Sequence, residues 1–351
     1  NVNAALNNLT YQGNANFSGA DTLTVSISDQ GNTGSGPIGV DTDTIAITVN
    51  AINDAPIVTV PGSRTVAEDT NLTLSGISVT DLDAGNSPVQ LTLSALNGRL
   101  RLVNTTNLTL VAGNNDSGSF TYEGTQAAIR TALAGSNLIY RGNQDFNGTD
   151  TVTVTLDDRS AVGAGGPLSD TETIQITVTP ENDRPVLTVP GAQQVDEDVE
   201  LVFDSTRAIS VVDVDAGNSP IRVTLTVTRG TINLATTNDL TLVSGANNSS
   251  TVTYQGTVDS INAALANLVY RGNQNVNGAD TLTINVRDLN NTGAGPEGVD
   301  NQTIAITVNA VNDQPQLLSN NTLSVSENGT RTITNSLLLT TDVDNASNQI
   351  T

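Results

Sequence analysis

The chain contains no cysteine, methionine, tryptophan or histidine, and all 13 of its basic residues are arginine, so lysine is missing as well. Each absence removes a chemistry. Without cysteine there is no disulfide, no thiol nucleophile and no thiolate metal site. Without histidine there is no Ser/His/Asp triad and no ordinary zinc centre. Without lysine there is no Schiff base, no P-loop and no lysine–asparagine cross-link. Aromatic residues are only 3% of the chain. No apolar run approaches the roughly 20 residues of a membrane span. No signal sequence heads the chain, which starts mid-pattern at Asn1.

Carboxylates, amides and hydroxyls remain, the hard oxygen ligands that suit calcium. The 36 acidic residues outnumber the 13 arginines and give a formal net charge of −23. That balance argues against nucleic acid, whose phosphates would find little to neutralise them, and against anionic membrane surfaces. Charge alone fits simple solubility and cation-dependent acidic clusters equally well. Hydrophobic residues make up 36% and are mostly Val, Ile and Leu set among Thr, a strand vocabulary, while 30 glycines and many Asn and Asp supply turns. A length of 351 residues suggests two or three domains.

An internal repeat organises the chain. Asn53-Asp54-Ala55-Pro56 recurs as Asn182-Asp183-Arg184-Pro185 and as Asn312-Asp313-Gln314-Pro315, with 129 residues from Asp54 to Asp183 and 130 from Asp183 to Asp313. Phe17–Asp21, Phe146–Asp150 and Val276–Asp280 keep the same register. So do Asp81-Leu82-Asp83, Asp213-Val214-Asp215 and Asp342-Val343-Asp344, and the pairs Glu68-Asp69, Glu197-Asp198 and, more loosely, Glu327-Asn328. The expected organisation is the end of one repeat (1–54), two whole repeats (55–183 and 184–313) and the start of another (314–351), as in a window on a longer chain.

Two runs in each repeat alternate apolar and polar residues: Leu23, Val25, Ile27 and Ile45, Ile47, Val49, then Val152, Val154, Leu156 and Ile174, Ile176, Val178, then Leu282, Ile284, Val286 and Ile304, Ile306, Val308. Period-two alternation means one buried and one wet face, as in antiparallel sandwiches. Gly-rich turns at 163–166 and 293–295 separate the two runs. The spacing within 126–133 and 260–268 predicts a short helix in each repeat, with Thr125 and Asp259 as candidate caps. A hairpin of 99–102 with 108–111 is expected before it, repeated at 231–234 with 240–243. Tyr11, Tyr140 and Tyr270 recur in register and read as core.

Acidic and amide residues recur at fixed offsets from the junctions. Glu68 and Glu197 follow a junction by about a dozen residues, and the Asp-x-Asp pairs by about 27. Asp29, Asp158 and Asp288 follow the first alternating run, and Asn16, Asp145 and Asn275 precede it. A single Asp or Asn in a loop usually makes only an Asx-turn. Recurrence in register weighs against that reading for the set. Asp-x-Asp on an extended backbone aims two carboxylates at one face, where they repel each other unless a cation intervenes.

With these motifs on the page, the chain resembles the cadherin superfamily, most of all the bacterial cadherin-like or chondroitin sulfate proteoglycan-type repeats of large surface adhesins. The stretch 261–315, from INAALANLVYRGNQNVNGAD to VNAVNDQP, reads as a typical unit. The resemblance implies an all-β fold of tandem Greek-key, cadherin/Ig-like β-sandwich repeats of about 130 residues, each with an inserted helix and hairpin. It also implies calcium at the junctions. The ligands it carries over are Asn16, Asn53, Asp54, Asp81, Asp83 and Asp158 at the first junction. At the second they are Glu68, Asp145, Asn182, Asp183, Asp213, Asp215 and Asp288. At the third they are Glu197, Asn275, Asn312, Asp313, Asp342 and Asp344. The acidic motif before the late strand is a single Asp or Asn here, and the linker lacks a longer acidic run, which implies one or two ions per junction rather than three.

The implied function is mechanical: an extracellular extender or fibre segment of a bacterial surface adhesin or matrix protein, not an enzyme, whose partners are neighbouring repeats of the same chain. Two alternatives stay open, a carbohydrate- or cell-binding module and a self-assembling surface filament of many copies. Paired carboxylates also serve glycosidases, but a site present in every unit suits structure better.

Overall fold

Alternating β-branched and polar residues fold as strands because every second side chain is shielded. Val152, Val154 and Leu156 are fully buried in Gly148–Asp157, as are Leu282, Ile284 and Val286 in Gly278–Arg287. The structure is a computed structural model that describes residues 2–159, 163–290, 292–346 and 349–350. Asn1 and Thr351, the limits of the outer segments, lie outside the described residues. The chain divides into two compact units, 1–180 and 181–351.

In the first unit a six-stranded sheet runs in the order Arg64–Ala67, Ser169–Thr179, Gly148–Asp157, Pro88–Ala95, Ser119–Thr125, Thr109–Gly113. A three-stranded sheet, Leu72–Leu74, Leu138–Gly142, Gly98–Leu102, covers it, and Ile57–Thr59 pairs with Ser78–Thr80. The two inner faces meet in one core, from Val58 to Val178. The same unit holds the antiparallel pair Gly19–Ser28 and Val40–Val49. The second unit repeats the plan. Its six strands run Gln193–Asp196, Val299–Asn309, Gly278–Arg287, Ile221–Thr226, Thr251–Gly256, Thr241–Gly245. Glu200–Phe203, Leu268–Gly272 and Gly230–Asn233 form the smaller sheet over a core from Leu187 to Val308. Among the described strands the pairings are antiparallel except at one edge of each large sheet, where Arg64–Ala67 and Gln193–Asp196 run parallel to the last long strand. The fold is therefore all-β, a β-sandwich plan repeated along the chain.

The helices form at Gln126–Leu133, as expected, and at Val258–Leu265, two residues earlier than the periodicity suggested. Leu268 belongs to the following strand. The second cap is Thr257, not Asp259: its Oγ1 accepts the Ser260 N–H at 3.2 Å, and Asp259 sits in the first turn, where its charge suits the helix dipole. Thr257→Ala is expected to cost about 1 kcal/mol, read as a lower urea midpoint with an unchanged slope; an unmoved midpoint would contradict the cap.

The hairpin differs in its partners. Gly98–Leu102 pairs with Leu138–Gly142 in the small sheet, whereas Thr109–Gly113 forms the hairpin with Ser119–Thr125 in the large one. Leu100 and Leu102 are buried while Leu110 is exposed, so the two strands serve different sheets. Tyr140 and Tyr270 are core residues with no exposure, but Tyr11 is 44% exposed.

Candidate metal centre

The Asp-x-Asp motifs are turns, not extended segments. The first aspartate of each folds back, and its Oδ1 accepts two backbone N–H groups. Asp81 accepts from Asp83 at 2.9 Å and Ala84 at 2.8 Å. Asp213 accepts from Asp215 at 3.1 Å and Ala216 at 2.9 Å. Asp342 accepts from Asp344 at 2.9 Å and Asn345 at 3.0 Å. The middle residues Leu82, Val214 and Val343 are exposed by this turn. The second aspartate reaches the junction: Oδ2 of Asp83 accepts the Asp54 N–H at 2.6 Å, and Oδ2 of Asp344 accepts that of Asp313 at 2.5 Å. Asp215 takes the Asp183 N–H in the same way. All three turns thus lie against the Asn-Asp-x-Pro segment that the sequence marked.

A long loop braces the other side of the junction. Ala164 donates to Ala51 O and accepts from the Asn53 N–H, both at 3.0 Å, and Ala294 accepts from the Asn182 N–H at 2.8 Å. The buried Asp158 accepts the Leu168 N–H at 2.9 Å and Nδ2 of Asn53 at 2.5 Å. The buried Asp288 accepts the N–H of Asn290 at 2.8 Å and Nδ2 of Asn182 at 2.6 Å. These two aspartates fasten loop and linker together. Asp29 holds Gly31 and Gly39 likewise, and those N–H groups keep its carboxyl below the usual range.

The remaining oxygens are what a cation would use. Oδ2 of Asp81, Oδ2 of Asp213, Oδ1 of Asn182, Oδ2 of Asp313 and Oε2 of Glu197 are each shielded from solvent and accept no hydrogen bond. A buried acceptor without a donor is costly, and a carboxylate more so. Burial raises the Asp213 carboxyl above its ordinary value. The N–H groups of Ala216 and Asp215 pull it back, and the carboxylates of Asp288 and Asp215 push it up further. The Asp313 carboxyl is likewise raised, by desolvation first and then by Asp344, Asp198, Glu197 and Asp342. In the second unit, therefore, two carboxylate clusters sit around unsatisfied oxygens and repel a further negative charge. Both fit a hard divalent cation with oxygen ligands.

The other expected ligands are placed as follows. Asn16 lines an open depression with Asp54 and Asp83. Asn275 is exposed, and its N–H donates to Asp198 at 3.3 Å, beside the Asp313 cluster. Glu197 is 4% exposed, and its Oε1 accepts the Val311 N–H at 2.6 Å, which places it against the third junction. The side chain of Asn312 turns onto the Asp313 carbonyl at 3.0 Å. Glu68 is buried, its N–H bonded to Thr179 O at 2.9 Å. A carboxylate oxygen of Asp145 lies within 4.8 Å of one of Asp69.

Asp69 and Asp198 were missed as candidates, although each follows the noted glutamate directly. Asp170 and Asp300 were missed too. They accept the N–H of Val58 at 2.7 Å and of Leu187 at 2.8 Å, and so pin the strand that leaves each junction.

Residues 199–295, under a third of the chain, match the family model described as the Protein GAMETE EXPRESSED 2 domain. No curated protein matches. Among solved structures, protocadherin PcdhgB3 EC1-4 is 18% identical over 83% of this chain and 57% of its own length, with a TM-score of 0.33. Mouse cadherin-23 EC22-24 is also 18% identical, over 83% and 74%, with a TM-score of 0.31. Human CDH23 EC21-23 is 13% identical over 83% and 80%, with a TM-score of 0.32. This chain therefore spans a little over half the length of the PcdhgB3 structure. Fold and site together define a class: all-β sandwich repeats with acidic clusters gathered at their Asn-Asp-x-Pro segments. Among the described residues no helix is long and apolar enough to cross a membrane.

Proposed function

We propose that this chain is an extracellular extender segment of a surface adhesin or matrix protein, of the bacterial kind its sequence resembles, stiffened by calcium at its junctions. In this reading the repeats run 55–183 and 184–313, with parts of two more at 1–54 and 314–351. The observation that carries it is the set of shielded, unpartnered oxygens on Asp81, Asn182, Asp213, Glu197 and Asp313. Asn182, Asp183, Asp213 and Asp215 would hold one ion, and Glu197, Asp313, Asp342 and Asp344 another. Asp54, Asp81 and Asp83 with Asn16 would hold the equivalent ion in the first unit. Bound calcium neutralises carboxylates that otherwise repel one another, and it ties the linker to the turn below it.

Sandwiches on short linkers bend freely by default. An ion shared between linker and sandwich removes that freedom. Extracellular modules bind calcium at roughly 10⁻⁴–10⁻³ M, so such a segment is stiff outside cells and slack within them. Small-angle scattering with calcium and with chelator tests this. The expected result is a sharp maximum dimension with calcium that broadens on chelation. Identical profiles in the two conditions would remove calcium from the proposal and leave a string of β modules.

A further inference from the structure

Arginine is scarce in this chain, yet three of its 13 stand together on the outer face of the small sheet in the first unit. Gly98–Leu102 alternates strictly: Leu100 and Leu102 are buried, so Arg99 and Arg101 point to solvent. Arg141, on Leu138–Gly142, lies directly opposite Arg99 in register. Asn71, Asp116 and Ile139 complete the rim of a shallow depression between them. Like charges directly opposite on antiparallel strands destabilise a sheet, so packing does not ask for this arrangement.

The acidic groups nearby leave part of the charge free. Arg141 is paired with Asp69 at 3.6 Å. Among the described residues neither the Arg99 nor the Arg101 guanidinium has an ion pair or hydrogen bond. The second unit builds the same sheet differently. There Thr231 faces Arg271 where Arg99 faces Arg141, Asn233 takes the place of Arg101, and Glu200 stands opposite Arg271 on the other side. The fold forms without the cluster, which is therefore an addition to one sandwich.

We propose that this face binds an acidic polysaccharide, through carboxylate or sulfate groups on successive sugars. Guanidinium forks match both anions in two-point contact. Arg99 and Arg101 are about 7 Å apart along the strand and Arg141 is about 5 Å across from Arg99, an open array suited to an extended chain and not to one enclosed small anion. The lining holds no aromatic ring for stacking on a neutral sugar. At about 0.1 M salt, repulsion from acidic residues more than about 10 Å away is largely screened, so the local charge decides.

The test uses the full chain, at about 0.1 M salt, with heparin as the sulfated probe and polygalacturonate as the carboxylated one. Dextran, sodium sulfate and poly-glutamate serve as comparisons, and each titration is run with calcium and with chelator. Binding of one or both polysaccharides is expected in either condition. The double variant Arg99→Thr/Arg101→Asn, which carries the second sandwich's own residues, is expected to lose about tenfold or more in affinity, since it removes two charge-assisted contacts. Asp116→Asn is expected to tighten binding, and Arg331→Gln, in the other unit, to leave it unchanged. No binding, equal binding by the double variant, or equally tight binding of dextran or of sulfate ion would overturn the proposal. Poly-glutamate binding as tightly would replace the polysaccharide by an acidic protein partner. Binding of polygalacturonate only with calcium would move the site to the acidic junctions and away from these arginines.

Discussion

Asp280→Ala lowers the stability of the 181–351 unit by on the order of 3–4 kcal/mol, because one buried carboxylate satisfies five donors at once. Asp280 is 4% exposed. Its Oδ1 accepts the Thr228 N–H at 3.0 Å, the Thr228 hydroxyl at 2.6 Å and the Thr281 N–H at 2.7 Å. Its Oδ2 accepts the Arg229 N–H and the Tyr270 hydroxyl, both at 3.0 Å. Tyr270 has no exposure, and among the described residues its hydroxyl bonds only to this carboxylate. Asp150 serves Tyr140, Leu96, Asn97 and Thr151 in the first unit by the same arrangement. The loss is read as a lower denaturation midpoint, with hydrogen exchange localising it to Leu268–Gly272 and the Thr226–Arg229 connection. A cost below about 1 kcal/mol, the range of an ordinary surface substitution, would show that the bonds contribute little.

The same residue sets an acid limb. Burial alone would raise the Asp280 carboxyl, but the hydrogen bonds from Thr228, Thr281 and Arg229 outweigh it and hold the carboxyl below its ordinary value. A carboxyl lowered in the folded state contributes stability that is complete above its unfolded value, near pH 4. That contribution disappears as pH falls through the lower folded value. The variant therefore flattens the stability profile below about pH 4 and leaves its shape near neutrality unchanged.

How much of this was legible in the sequence depended on whether a side chain carried the information. The long strands were readable because burial of Val152, Val154 and Leu156 requires alternation. The strand at 98–102 was readable as a strand, but not its partner. Chain neighbours pair by default, and alternation says nothing about which sheet receives the buried face. The Asp-x-Asp pairs were placed at the right segment for an incomplete reason. Residues i and i+2 share a face on an extended backbone, yet Asp and Asn also draw the backbone into turns with their own oxygens, and the spacing is the same in both cases. The bonds from Ala51 and Asn53 to Ala164 were invisible because they join backbone to backbone across a hundred residues. Asp198 was passed over because the resemblance carries over only the glutamate before it, although its charge reaches the Asp313 cluster.

The acidic junction makes a prediction whose sign depends on the solvent. In chelator, Asp213→Asn is expected to leave the 181–351 unit as stable as the parent or more so. Oδ1 of an asparagine still accepts the Asp215 and Ala216 N–H groups, while the charge that burial and the Asp288 and Asp215 carboxylates disfavour is gone. The pH profile follows from the same shift. A carboxyl raised in the folded state contributes stability that is complete below its unfolded value and lost as pH rises through the folded one. The chelated parent is therefore stabilised by mild acidification, and the variant is not. Calcium reverses the order. At a concentration about a hundredfold above its dissociation constant, an ion that binds only the folded state adds about 2.7 kcal/mol, and the parent gains this while the variant, short of one carboxylate oxygen, gains little of it. Parallel calcium titrations of the denaturation midpoint separate the two curves. If the variant responded to calcium as fully as the parent, the Asp213 oxygen would not be a ligand, and the unpartnered oxygens at the other junctions would lose their interpretation with it.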